Sequence, residues 1–308
     1  MLSYVRRRII LSVPVIFGLA TLVFFLMHLL PGDAVTVMLT SYGASGEEQA
    51  RLRHNLGLDR PVFIQYLDYM GNAVRGDFGR SLFSHQPVAE QILQQLPATL
   101  QLTATSMVFA IVAGVLIGVL AAVRHNSATD RLSMFVSLVG VSMPGFWLGI
   151  MLILLFSLKL EWLPAAGSGS PQQLILPALA LSFNSIAVMA RLVRGSMLEI
   201  LRQDYVATAR AKGLPPRDVI GRHALTNALI PVVTFIGIQF GGLLGGAIIV
   251  ETVFGRQGIG QLAVGAIQKR DMPLVEGTVI FVGIVTVLAN LAVDVLYVAI
   301  DPRVRIDA

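Results

Sequence analysis

The chain has 308 residues, 55% of them hydrophobic and only 13% charged, with a net charge of +5 and a mean hydropathy of +0.74. A soluble domain carries about 25% charged residues, so this composition overrides the length-based expectation of two soluble domains. Cysteine is absent, which excludes disulfides, cysteine metal sites and thiol nucleophiles; the basic residues lack the aromatic interleaving that stacks bases, so no nucleic acid is expected as partner.

Residues 91–123, 132–158 and 224–250 contain no Asp, Glu, Lys or Arg, and each exceeds the roughly 20 apolar residues that cross about 30 Å of hydrocarbon. Six spans are predicted in chain order. The first, Ile9–Leu30, follows Arg6-Arg7-Arg8 and runs into Pro31-Gly32-Asp33 rather than a small-x-small cleavage site, so it reads as an uncleaved helix and not a secretory leader. Residues 31–98 place Leu52, Leu56, Val62, Ile64, Tyr66, Leu67 and Tyr69 among charges at helix-like spacing, which predicts amphipathic helices at the outer membrane surface. Gly76-Asp77-Phe78-Gly79-Arg80-Ser81 reads as a turn within them. The remaining spans are Leu100–Val123, Leu132–Leu158, Leu174–Val193, Leu229–Val250 and Leu274–Ile300.

Six spans put both termini on one side. That side holds fourteen basic residues in short segments: Arg6, Arg7, Arg8, Arg124, Arg131, Arg191, Arg194, Arg202, Arg210, Lys212, Arg217, Arg222, Arg303 and Arg305. The opposite short loops hold only Lys159, Arg256, Lys269 and Arg270. The excess of positive charge makes the first side cytoplasmic. The expected architecture is an all-α polytopic membrane protein with six transmembrane helices and both termini inside. It divides into a tail and first helix (1–30), a helical periplasmic segment (31–98), a five-helix core (99–300) and a cytoplasmic tail (301–308). No repeat of solenoid or inverted-transporter type is visible.

Several chemistries are missing. There is no G-x-x-x-x-G-K-[ST] phosphate loop, no HExxH and no G-x-S-x-G, and His28, His54, His85, His125 and His223 are dispersed. The chain is therefore not expected to be an enzyme. Asp294 alone among acids lies well inside a span, near its cytoplasmic end, where capping or pairing at the interface competes with a functional role. An ion-coupled secondary transporter, the rival from another class, would need such acids at its coupling site.

Glycines recur four apart. Gly237, Gly241 and Gly245, with Gly242 and Gly246 alongside, form a stripe on span five; Gly114/Gly118 and Gly145/Gly149 repeat the pattern on spans two and three. Small residues at this spacing let helices approach closely in lipid. Packing within one bundle explains the stripe; alternatively it faces a pathway or a partner subunit. Ser142, Asn184, Ser185, Gln239 and Asn290, with Gly241 and Gly245, are the candidate pathway residues.

The most informative segment is Asp204–Pro231, DYVATARAKGLPPRDVIGRHALTNALIP, a charged stretch of 28 residues between two apolar runs. Asp204 is suited to N-cap a short helix that places Tyr205, Thr208, Ala209 and Lys212 on one face. Ala207, Ala209 and Ala211 keep that helix slim, Gly213 suits a left-handed stop, and Pro215-Pro216 prevents continuation. A second helix is expected from Asp218 to Leu229. A loop that only enforces topology or touches anionic lipid needs neither the slim helix nor the fixed stop.

This segment resembles the EAA loop of ABC importer inner-membrane permeases, with Ala207-Thr208-Ala209 at the EAA place, Gly213 at its glycine and His223-Ala224-Leu225-Thr226 where I-x-L-P would stand. Ala207 replaces the glutamate and Thr226 the proline. Leu29-Leu30-Pro31-Gly32-Asp33, Gly57-Leu58-Asp59-Arg60-Pro61, the 76–81 turn, Gly245-Gly246-Ala247 through Glu251-Thr252-Val253-Phe254, and Ala299-Ile300-Asp301-Pro302-Arg303 occur in the order typical of the dipeptide/oligopeptide/nickel permeases, and the long external segment is similar to their first-subunit type. The resemblance implies a bacterial inner-membrane importer subunit working with a second related permease, two cytoplasmic ATP-binding subunits and a periplasmic or lipid-anchored solute-binding protein. ATP and Mg would lie on the partner subunits and no cofactor on this chain. Tyr205, Thr208, Ala209, Arg210, Lys212, Gly213 and Arg217 would couple to the ATPase. Dipeptides, longer peptides, glutathione and nickel complexes are all cargoes of similar permeases.

Overall fold

The computed structural model describes residues 2–29, 47, 53–54 and 59–300, and their side chains except at 2–5, 9 and 293–300. Leu30–Asp33, Leu52, Leu56, Gly57-Leu58, the 301–308 tail and the Asp294 side chain therefore lie outside the described residues. Apart from an isolated antiparallel bridge between Arg80 and Pro87, the described residues form helices and turns.

Among the described residues five helices are long and apolar enough to cross a membrane, and a bent pair makes a sixth span when its two arms are counted as one. We number the helices α1 (Leu2–Leu29), α2 (Val62–Val74), α3 (Val88–Val123), α4 (Ala128–Ser142), α5 (Gly145–Leu152), α6 (Gln172–Ile200), α7 (Asp204–Ala211), α8 (Ile230–Val253), α9 (Ile259–Lys269) and α10 (Met272–Ile300). The third span departs from the single run expected over 132–158. α4 and α5 meet at 109° across Met143-Pro144, both of which are extended, with ψ of 128° and 133°. Pro144 supplies no N–H and forces Met143 out of the helical region. α5 then widens into a π-helix over Ile153–Lys159.

Two compact units divide the chain, Met1–Thr99 with Gln257–Leu291 and Leu100–Arg256 with Ala292–Ala308. In the first, α2 lies along the outer part of α1. Tyr66 stacks on Phe25 at 5.6 Å, Tyr69 stacks on Phe24 at 5.4 Å, and Thr21 shares a 2.8 Å hydrogen bond with the Tyr66 hydroxyl. Val62, Phe63 and Leu67 stay exposed on α2, as an amphipathic helix at a membrane surface requires. The expected turn forms: Gly76 and Gly79 are left-handed at φ 77° and 73°, and Gly79 N–H donates to Asp77 Oδ1 at 2.9 Å. Ser81 Oγ and Leu82 N–H then both donate to the buried carboxylate of Asp271, ahead of α10. Val88, Ile92, Ile259, Leu274 and Val275 form the core beneath.

In the second unit, α3 packs on α6 without spacer side chains. A Cβ on Gly114 would fall 2.7 Å from Met189 Cβ, and one on Gly118 would fall 2.6 Å from Val193 Cβ. The Gly114/Gly118 pattern thus serves helix packing. In the Gly145/Gly149 pattern Gly149 does likewise against Phe254, whose ring a Cβ would approach to 3.1 Å, whereas Gly145 has only an ordinary contact at 3.8 Å with the Ala180 carbonyl. Val108, Val112, Leu116, Leu132, Phe135 and Leu138 are exposed, an apolar surface suited to hydrocarbon. At the cytoplasmic end Arg194 pairs with Asp130 through Nε and Nη2, and Asp130 also accepts the Asn126 N–H at 3.0 Å.

Candidate functional site

The cytoplasmic loop folds as a short helix and a stop, followed by a return helix. Gln203, extended at ψ 148°, stands at the N-cap and makes no side-chain cap, so Asp204 is the first helical residue and not the cap expected of it. Its carboxylate still lies in the first turn, where it favours the helix dipole. At the other end Gly213 is left-handed at φ 78°. Its N–H donates to Arg210 O at 3.0 Å and Leu214 N–H to Ala209 O at 3.4 Å, the bond pair of a Schellman stop. Pro215 is extended and the chain re-enters helix at Pro216, two residues before the expected start. It then widens into a π-helix over Val219–Leu225 before reaching α8.

The expected face splits in two. Tyr205, Thr208, Arg210, Lys212, Gly213 and Arg217 are exposed. Ala209 is not: it turns inward with Val206 and Val219 onto Ile200 and Leu201. Val206 is fully buried, and burial of such a side chain contributes about 1.5–3 kcal/mol. Ala209 therefore belongs to the anchor of α7, where a larger residue would lift the helix. Tyr205 is also tied back, its hydroxyl donating to His223 O at 3.3 Å and accepting from Asn227 Nδ2 at 2.9 Å. Sequence reasoning missed Val206, His223 and Asn227 as loop-shaping residues. The apolar spacing of Val206 and Ala209 is a helical i, i+3 signal; the Tyr205–Asn227 contact spans a turn and leaves no local trace.

Three of the expected pathway residues meet. Asn184, Ser185 and Gln239 line a cavity of about 510 Å³ bounded by Met143-Pro144 at the broken span and by Gly242 and Gly246 on α8. Gln239 Nε2 donates to Ser185 Oγ at 2.7 Å, joining α8 to α6. Asn184 Nδ2 donates to Val141 O at 3.4 Å, satisfying a carbonyl released by the break in the helix. Ser142, Gly241 and Gly245 fall outside this lining. Ser142 donates to Leu138 O on its own helix, and Asn290 is exposed in the other unit. On α8 a Cβ at Gly242 or Gly245 would meet nothing within 4 Å among the described residues, so packing among those residues does not explain these two glycines. At the external end of α8, Arg256 is 1% exposed and donates to Gln101 Oε1 at 2.8 Å; burial pushes its pKa down and nearby Glu251 opposes the shift.

A multi-span helical bundle with a broken span, a largely apolar cavity that carries Asn184, Ser185 and Gln239, and a stopped cytoplasmic helix fits a membrane permease. Residues 114–306 match the binding-protein-dependent transport system inner membrane component, and residues 1–103 match the N-terminal part of such membrane components. The chain belongs to this family and is an inner-membrane permease subunit of an ABC importer. It is 45% identical over 305 residues, 99% of each chain, to the glutathione transport system permease protein GsiC of Escherichia coli strain K12, and equally so to that of Shigella dysenteriae. Among solved structures, the inward-facing MetNI methionine ABC transporter aligns with a TM-score of 0.57 at 23% identity, over 68% of this chain and 96% of that one. An amino acid ABC transporter aligns with a TM-score of 0.51 at 17% identity, over 68% and 94%. At these identities the two structures speak for the fold alone.

Proposed function

We propose that this permease subunit imports short peptides, with glutathione the first candidate, along a path that includes the Asn184–Ser185–Gln239 cavity. The supporting observation is the 45% identity to a glutathione permease, unbroken over 99% of both chains. A cavity of about 510 Å³ also falls within the range of roughly 300–1,000 Å³ common for small-molecule sites. The chain works with a second related permease, two cytoplasmic ATP-binding subunits that carry ATP and Mg, and an external solute-binding protein. It supplies pathway and coupling, with no catalytic residue of its own. In this reading Tyr205, Thr208, Arg210, Lys212 and Arg217 present the contact surface to an ATP-binding subunit, while Ala209 and Gly213 hold α7 in shape.

Reconstitution tests the substrate. The complete transporter in liposomes, with its binding protein, is expected to hydrolyse ATP faster when glutathione is added outside. Gln239→Ala should lower uptake while leaving membrane insertion intact. Failure of glutathione and of short peptides to stimulate hydrolysis would overturn the proposal.

A further inference from the structure

A second cavity, of about 570 Å³, opens within the unit that contains α1, α2, α9 and the start of α10. Its lining mixes apolar side chains with charged and polar ones, Arg60, Asp68, Tyr69, Arg75 and Glu276 among them. Arg60 and Asp68 satisfy one another at 3.2 Å. Glu276 has no such partner. It lies in the first turns of α10, is only 8% exposed, and accepts no hydrogen bond from any described residue. The Tyr69 hydroxyl, on the same lining, is also buried without a hydrogen-bond partner among the described residues. Burial, reinforced by Glu276 and Tyr66, pushes the Tyr69 phenol up, so it stays a neutral hydroxyl able to accept or donate. Arg75 caps the end of α2, exposed, with no side-chain bond among the described residues.

A buried carboxyl and a buried hydroxyl that face one cavity unpaired are costly unless something occupies it. The chemistry that pairs a carboxylate and a hydroxyl oxygen together is an N–H-bearing cation. The guanidinium of Arg75 on the same lining, unpaired among the described residues, offers a place for an anion. We propose that this cavity binds a zwitterion with a primary ammonium group, the ammonium between Glu276 and Tyr69 and the anionic end at Arg75. Two sources share that chemistry. One is a free peptide, through its amino terminus and carboxylate. The other is the ethanolamine phosphate headgroup of a membrane lipid, because Glu276 lies about a turn inside the external end of a span. The site stands apart from the peptide-import reading and does not depend on it.

The test uses the full-length chain in its assembled transporter, in phosphatidylcholine nanodiscs prepared with and without phosphatidylethanolamine. Calorimetry measures triglycine and N-acetyl-triglycine binding, and native mass spectrometry counts retained phosphatidylethanolamine. Triglycine binding that N-acetylation abolishes identifies the soluble source; one retained phosphatidylethanolamine per copy identifies the lipid. In either arm Glu276→Gln should weaken retention by about tenfold or more, and Tyr69→Phe by about threefold. If Glu276→Gln does not reach the membrane, Tyr69→Phe and Arg75→Gln decide. Retention of neither probe by the wild type, or equal retention by the variants, would overturn the proposal.

Discussion

Gly213 carries the one turn on which the cytoplasmic loop depends. Its φ of 78° lies in the left-handed region, yet a Cβ there would meet nothing within 4 Å. Gly213→Ala should therefore cost only the backbone term, about 1–2 kcal/mol, and lower the thermal midpoint of the purified transporter. Gly242 has the same open surroundings without the positive φ, so Gly242→Ala should be neutral or slightly stabilising, by up to about 1 kcal/mol. Equal effects at both glycines would contradict this distinction. A second residue-scale prediction concerns the fork of Arg194 on Asp130, which is 2% exposed. Asp130→Asn should destabilise by about 1–3 kcal/mol, measured by thermal unfolding. A double-mutant cycle with Arg194→Gln should recover part of the loss as coupling; strict additivity would show that the pair contributes nothing.

Among the elements, α7 is held by few contacts, and this makes its attachment easy to break. Ala209→Asp places a charge against Val206 and Val219. We expect faster proteolysis within residues 202–214 and loss of transport, with normal insertion. An unchanged cleavage pattern would argue against the buried anchor. Gly118→Leu acts elsewhere, wedging α3 from α6 where Val193 and the Ala190 carbonyl leave no room, and should sharply reduce the amount of protein recovered in the membrane. How much of these elements shows in the sequence depends on which force shapes them. Uncharged runs report hydrocarbon crossing, so the spans and their order were legible. Polar helical extensions are invisible to that signal: α3 begins at Val88 rather than Leu100, because Glu90, Gln91, Gln94 and Gln95 are sound helix formers that no apolar window counts. The bend at Met143-Pro144 was not read from the sequence, where 132–158 reads as one apolar run, and the π-helices at 153–159 and 219–225 leave no periodic mark. In the loop the stop at Gly213 was legible because only backbone chirality decides it. The inward turn of Ala209 was not, since alanine suits a buried face and a docking face equally.

For the whole molecule, sidedness is the property most directly open to test, because the chain has no cysteine of its own. Single cysteines at Ser84 and at Lys212 should react with an impermeant maleimide from opposite sides of intact cells and inverted vesicles. Labelling of both from one side would contradict the six-span arrangement. On the proposed reading, import requires that α7 transmit ATP-driven movement to the helices around the Asn184–Ser185–Gln239 cavity. The decisive measurement is glutathione uptake and ATP hydrolysis in the same proteoliposomes, comparing the wild-type transporter with Gly213→Trp. We predict that the variant inserts and its assembly still hydrolyses ATP, while uptake is lost and hydrolysis no longer responds to substrate. Normal, substrate-stimulated uptake by Gly213→Trp would contradict the coupling role of the loop.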